Sequence, residues 1–531
     1  MRSRPGLLAI LLVAFGLVAG VSGWLLANHD YETEYLALGN LVVRGELNLY
    51  QPEMSGQWVP LPFVVFGFTQ AIVGPSLLAA RLLAVVLGLG VVWLVFAIGS
   101  RWGGPVGGAI GAGLFCTNGL VVGYFATAHF SPLAAIIHLL GIYVLFCTDW
   151  RWRDLVAPAV FSLLFLVKPH YWPTIPFVLA YLVARPSSHA RRGAVVALSL
   201  AVPLLFFASD VRHWKLFAYM PIIRDWTASL GYSSWHSLME DSESIWSSDY
   251  VTVAYSTSIG GRLVAIAQSF GFFLKRYAIW CLALGGLAVL NLWTARREPR
   301  PSNRYGTGFW FTLALFWYLV ACQFIIVGPY VKQGFAYVGA IAPLLAIVLG
   351  CLFARVSTSP VRIVRAAALA GIVGALVLSP WVHRSHDMPR SVSLSRATIS
   401  RLDLLARELA RVIPADAKEI FLLGDAMPLY LAGRRPYLQQ FHEHLMMFTS
   451  VRDPRRYERS GLWGYREIDA WLGSAARYAV IEPQTLEFYR GRAPYREHVE
   501  RIETLLRTNF GLLATVSAPP ASVFLVYRRT S

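Results

Sequence analysis

Three carboxylates, Asp30, Glu32 and Glu34, fall within five residues just after the first long apolar segment of this chain. Charge held that close to lipid is costly, and it is kept where it has a task. A carboxylate so placed can take the proton of an attacking hydroxyl or orient it. Asp30 is the first candidate for that work, Glu34 the second and Glu32 the third. Asp30 also precedes an amphipathic run and fits a helix N-cap, a role compatible with chemistry. For Glu32 and Glu34 the plainer expectation is a solvated helix face. Positive charge comes from Arg81, Lys168 and Lys332. Each could hold a phosphate as negative charge grows on it, or simply snorkel from a helix end. His29, His129 and His170, with Tyr35, Trp58 and Tyr337, complete the side chains that could contact a substrate. A lone histidine in such a place is more often an interfacial hydrogen-bonding residue.

The surrounding chain is built for a membrane. Its 531 residues are 56% hydrophobic and 15% charged, with a mean hydropathy of +0.51. A soluble globular protein carries roughly a quarter charged residues, so that class is excluded. Apolar segments of about 18 residues or more recur along the first three quarters, the mark of a polytopic α-helical membrane protein. Eleven spans are read near 5–27, 80–100, 105–125, 131–148, 154–168, 171–185, 192–210, 276–296, 306–327, 335–354 and 361–381. The first follows Arg2 and Arg4 but exceeds a signal-peptide apolar region, so it reads as a retained helix. The fifth and sixth are short and flank Lys168-Pro169-His170, as a tilted or bent hairpin would.

Threading the chain with its N-terminus in the cytoplasm gives a consistent charge pattern. The cytoplasmic connections then hold Arg101, Arg151, Arg153, Arg185, Arg191, Arg192, Arg296, Arg297, Arg300, Arg304, Arg355, Arg362 and Arg365. The short loops opposite are almost bare, as the positive-inside rule requires. Residues 382–531 then lie outside, with loops 28–80 and 211–275. Much of the net charge of +17 thus sets topology. No nucleic-acid motif accompanies it, and no nucleic-acid partner is expected.

The outer loop 28–80 is patterned. Tyr35, Leu36, Leu38, Leu41, Val42 and Val43 recur at helical spacing until Gly45, as in a helix lying along the interface. Phe63 to Val73 is a second such piece, joined to the first by a Trp58–Pro62 turn, and Phe66-Gly67 reads as a turn region. Arg401 to Val412 is a soluble amphipathic helix. Residues 419–425, 478–482 and 522–527 read as strands and 502–510 as a helix, giving a small C-terminal α/β domain. The division is a transmembrane domain at 1–381 and an extracytoplasmic α/β domain at 382–531. No phosphate loop, GxSxG or HExxH occurs in the latter. All five cysteines (Cys116, Cys147, Cys281, Cys322, Cys351) sit in apolar segments with no CxxC, so neither zinc nor a redox pair is indicated.

Taken in order, these signals resemble the integral-membrane GT-C glycosyltransferases, specifically glycosyltransferase family 39 and the bacterial aminoarabinose transferases of lipid A. The resemblance rests on Asp30 after the first span, Tyr35, the helix ending at Gly45, Pro60 and Pro62, Gly74-Pro75-Ser76 and Arg81. Val167-Lys168-Pro169, and Tyr330-Val331-Lys332-Gln333 with Tyr337 and Pro343, extend it. It implies a polyprenyl-phosphate sugar donor, surrounding membrane lipids, and a hexosyl or pentosyl group moved to a lipid, glycan or protein acceptor. The reaction would invert the anomeric centre on the outer face of a bacterial inner membrane. One departure stands out: Ala126-Thr127-Ala128-His129-Phe130-Ser131-Pro132 lacks the Asp that relatives carry there. A second acid is therefore missing, or is supplied by Glu34 or by Asp241, Glu243 or Asp249. Related transferases differ in needing a divalent cation, Mg or Mn, and no oxygen-ligand cluster is evident in this chain. The competing classes are a transporter or flippase, which usually shows internal repeats, an O-antigen ligase or polymerase, and a non-catalytic scaffold.

Overall fold

The computed structural model describes residues 5–28, 30–51, 54, 59–185, 188–219, 259–297, 305–325, 338–382, 398–441, 463–491, 495–519 and 522–530. The chain divides into two compact units. One takes Met1–Gly23, Leu82–Phe206 and Val253–Pro389; the other takes Trp24–Arg81, Phe207–Thr252 and Arg390–Ser531. The segment after the first apolar helix therefore groups with the C-terminal region, although some 300 residues of chain separate them.

The first unit is helical. Among the described residues, four helices are long and apolar enough to cross a membrane: Gly6–Leu25, Leu77–Thr117, His189–Ser209 and Arg362–Pro380. Ser131–Cys147, Thr307–Gln323 and Ala342–Val356 are shorter apolar helices. Helix Ala342–Val356 is apolar all round and buried except at Arg355. It packs on Ser131–Cys147, Ala278–Arg297, Thr307–Ile325 and Arg362–Val382, which makes it the centre of the bundle. The run Leu77–Thr117 is broken at Gly104, whose φ of +68° suits a residue without a side chain, and at Pro105. Two expected spans meet at that bend. The short fifth and sixth segments become helix Arg153–Ser162, 3-10 turns at Leu163–Leu166 and Pro169–Tyr171, and helix Thr174–Val183. Trp172 clasps this bend, stacking on Phe165 at 4.4 Å and donating to its carbonyl at 3.0 Å. The loop expected over 211–275 ends in a helix, Ile259–Arg276, just before Ala278–Arg297.

The second unit carries a four-stranded sheet, ordered β1 (Ile420–Leu423), β2 (Tyr478–Ile481), β4 (Ser522–Arg529), β3 (Phe510–Ala518). β1 and β2 are parallel, and the other pairs antiparallel. Both parallel strands are buried on both faces, which is why they read as unbroken apolar runs. Phe421, Leu423, Ala479 and Ile481 meet Val499, Ile502 and Leu506 of helix Arg496–Asn509, with Trp463 and Trp471 closing the core. Each such large side chain contributes roughly 1.5–3 kcal/mol by leaving water. The described cysteines are all free and lie outside this unit, so its stability comes from that core. Helix Ile399–Val412 forms where its apolar spacing predicts. The sequence misses β3, whose alternation is disturbed by a bulge between Leu512 and Ala514.

Candidate active site

The segment bearing the three acids is one helical run in three parts: Asp30–Thr33, a π-helical turn at Glu34–Leu38, and Gly39–Val43. Gly45, at φ +72°, ends it, and the Gly45 and Glu46 N–H groups return to Val42 and Leu41 carbonyls at 3.0 and 2.9 Å. Such π turns are rare and gather at functional sites. Every residue from Glu32 to Asn40 is buried. This corrects the expectation that Glu32 and Glu34 lie on a solvated helix face: they are 0% and 2% exposed.

Helix Pro60–Val73 accounts for much of that burial. A side chain at Gly39 would come within 2.3 Å of the Phe63 carbonyl, and one at Gly67 within 2.1 Å of the Gly39 backbone. The two helices touch main chain to main chain there, so Gly67 is a crossing point inside a helix and not the expected turn. Tyr35 sits edge-on to Phe63 at 4.9 Å and stacks with Phe66 at 6.1 Å. The turn Gly74-Pro75-Ser76 is clasped by Gln70, which accepts from the Ser76 N–H at 2.7 Å and donates to its carbonyl at 3.1 Å. Ser76 Oγ then accepts from the Ala79 N–H at 3.2 Å, capping the helix that presents Arg81.

Arg81 turns back onto the acidic segment. Its Nε and Nη2 fork onto Glu32 Oε1 and Oε2 at 2.8 and 2.6 Å. Nη1 donates to Leu26 O at 2.8 Å and Nη2 to Ala27 O at 3.1 Å. Both side chains of the pair are all but fully buried, at 2% and 0% exposed. A guanidinium so engaged is spent on the protein itself. Asn28 is held separately, its Nδ2 donating to Asp425 Oδ2 at 2.6 Å. Asp30 therefore opens its helix between fixed points on both sides: residues 26–28 before it and Glu32 after it.

In the first unit, three other candidates draw together. His129 Nδ1 lies 2.8 Å from Ser131 Oγ and accepts from the Ser131 N–H at 3.3 Å. Its ring lies against Phe130 at 3.9 Å, and the Lys168 ammonium stands over that same Phe130 ring at 5.3 Å. Lys168 is extended at the junction of the two 3-10 turns, with His170 in the second of them. The sequence window that lacks an Asp thus supplies an aromatic support for a cation instead. The side chain of Asp30, and His29, Trp58, Lys332 and Tyr337, lie outside the described residues, as do Asp241, Glu243 and Asp249.

Sequence reasoning missed Asn28, Gln70 and Asp425. A signal existed for Asp425, which follows an apolar strand across one glycine, but nothing local announces its partner 397 residues away. Among the described residues no group of three or more His, Cys, Asp or Glu side chains is gathered as a metal site would be.

No protein-family model and no curated protein sequence matches this chain. Solved structures do. The chain aligns with ArnT from Cupriavidus metallidurans bound to undecaprenyl phosphate at a TM-score of 0.57 and 14% identity, covering 98% of this chain and 97% of that one. It aligns with the Archaeoglobus fulgidus oligosaccharyltransferase in the apo form at 0.52 and 11%, covering 98% and 74%. The same enzyme in complex with Zn and sulfate gives 0.51 and 11%, covering 97% and 72%. Over nearly its whole length, this chain has the GT-C fold of those membrane glycosyltransferases.

Proposed function

We propose that the protein moves a sugar from a polyprenyl-phosphate-linked donor to a lipid, glycan or protein acceptor on the outer face of the cytoplasmic membrane. The likeness to an ArnT bound to undecaprenyl phosphate supports the donor class. The observation that carries the reading is the buried Arg81–Glu32 fork, which fixes the segment carrying Asp30 at the exit of the first apolar helix. Burying a full ion pair is expensive, and it makes sense where geometry must be exact.

In this reading the acceptor oxygen attacks the anomeric carbon as the bond from that carbon to the phosphate oxygen breaks. Asp30 takes or orients the acceptor proton, with Glu34 as the second acid. The phosphate leaves on its lipid carrying the bonding pair, and Lys168 and Lys332 stabilise that charge. A single displacement inverts the anomeric centre. Glu32 and Arg81 hold the base in place and do not touch the substrate. Tyr35, Trp58, Tyr337 and the histidines His29, His129 and His170 are assigned to substrate contact. Eleven crossings, a cytoplasmic N-terminus and an external C-terminal region complete the proposal, supported by the arginine-rich loops.

The test is mass spectrometry of envelope glycolipids and glycans from a deletion strain. Loss of one sugar mass, restored by the wild-type chain and not by an Asp30→Asn chain, is the expected result. An unchanged glycan profile removes the reading.

A further inference from the structure

The parallel strands β1 and β2 each end in an acid. Asp425 follows β1 by two residues and Glu482 follows β2 directly, and the Glu482 N–H donates to the Leu423 carbonyl at 2.8 Å. Asp425 is 2% exposed and Glu482 0%. Gly424 between them, at φ +154°, leaves the space the Glu482 side chain needs: a Cβ there would lie 2.7 Å from Glu482 Cβ and 3.2 Å from Oε2. Thr485 donates to Glu482 Oε2 at 2.5 Å, while Oε1 is buried with no hydrogen-bond partner. Asp425 is fully committed. Its Oδ1 accepts from the Met427 N–H at 2.9 Å, and its Oδ2 accepts from Asn28 Nδ2 at 2.6 Å.

We infer that Asp425 and Glu482 are positioning residues for the reacting segment, Asp425 anchoring Asn28 two residues before Asp30 and Glu482 acting as the protonated neighbour that lets Asp425 stay an anion. The inference rests on Asp30 being the reacting carboxylate. Two buried carboxylates side by side cannot both ionise cheaply. Burial, and then the Asp425 charge, push the Glu482 carboxyl up to about 8, against the pull of Thr485 and the Asp425 backbone N–H. Asp425 from the end of β1 and Thr485 from helix Pro483–Arg490 act on Glu482, Asp425 being the charged one of the two, and the Phe524 ring of β4 borders the same space beside Gly424. The folded state keeps a proton that the unfolded chain gives up near 4.5. That stabilisation is complete below the unfolded value and is lost as pH rises through about 8. Above that pH two anions share the pocket, and the clasp on Asn28 loosens.

Hydrogen exchange on the full-length protein in detergent tests this without any substrate. Wild type and Glu482→Gln are compared at each pH for peptides covering 26–36. Equal exchange at pH 6.5 and about tenfold faster exchange in wild type at pH 9, one unit above the titration, is expected. Asp425→Ala and Asn28→Ala, which cut the same hydrogen bond from its two ends, should each raise exchange there at every pH. Identical pH profiles for wild type and Glu482→Gln, or unchanged exchange in folded Asn28→Ala, would overturn the assignment. If the exchange results hold but the deletion strain keeps every sugar mass, the positioning device stands and the glycosyl-transfer reading falls; if Asp30→Asn still makes product, only the assignment of Asp30 as the reacting carboxylate falls.

Discussion

Arg81 and Lys168 each carry one positive charge near a helix end, yet the two units hold them in opposite ways. Arg81 is enclosed, and its fork is spent on Glu32 and two carbonyls. Lys168 stands in an extended stretch between two 3-10 turns, its ammonium over the face of Phe130. An arginine's planar set of donors suits a fixed carboxylate, whereas an ammonium on a flexible stem adapts to a ligand that comes and goes. The difference teaches that charge and position along the chain do not define a phosphate contact. Arg81 is a lock on its own segment, whatever its place in the sequence suggests.

Four variants break or sharpen this contrast. Asp30→Asn should lower turnover about 10²–10⁴-fold with unfolding unchanged, measured with purified protein and a synthetic polyprenyl-phosphate sugar. Turnover near wild type would mean that the clasped segment presents some other acid. Glu32→Ala strands the buried Arg81 charge and should cost about 3–5 kcal/mol in thermal unfolding of the full chain. Joining Glu32→Leu to Arg81→Met should recover most of that loss while leaving transfer impaired; equal stability of single and double variants would show that the pair is no lock. Lys168→Ala should leave unfolding within about 1 kcal/mol but weaken undecaprenyl phosphate binding about tenfold, or 1.4 kcal/mol. Unchanged affinity would make Lys168 a plain membrane-interface cation.

Much of the architecture was legible. Alternation of apolar runs with turns locates β1, β2, β4 and helix Ile399–Val412, and Gly45 marks a real helix end. These are local signals, set by the period of burial and by a residue that tolerates positive φ. The candidate site was legible only in its membership. Glu32 and Arg81 both stand out in the sequence, yet their union joins residues 49 apart and turns an acid expected on a solvated face and a cation expected to clamp phosphate or snorkel into one buried pair. Gly67 looks like a turn because glycine usually punctuates. Its job here is to let another backbone approach, which a single chain read locally does not reveal. Asp425 and Glu482 gain meaning only when parallel pairing brings two strand ends together.

The π turn at Glu34–Leu38 has a consequence for how this region is compared with other chains. On its N-terminal side Glu32 is indexed by Arg81, and on its C-terminal side Gly39 is indexed by Gly67. The wide turn lies between those two fixed registers and sets the spacing from one to the other. An alignment gap slid through it would therefore assign either the acid or the glycine to the wrong neighbour, and a relative lacking the extra residue must have re-indexed one of its two clamps.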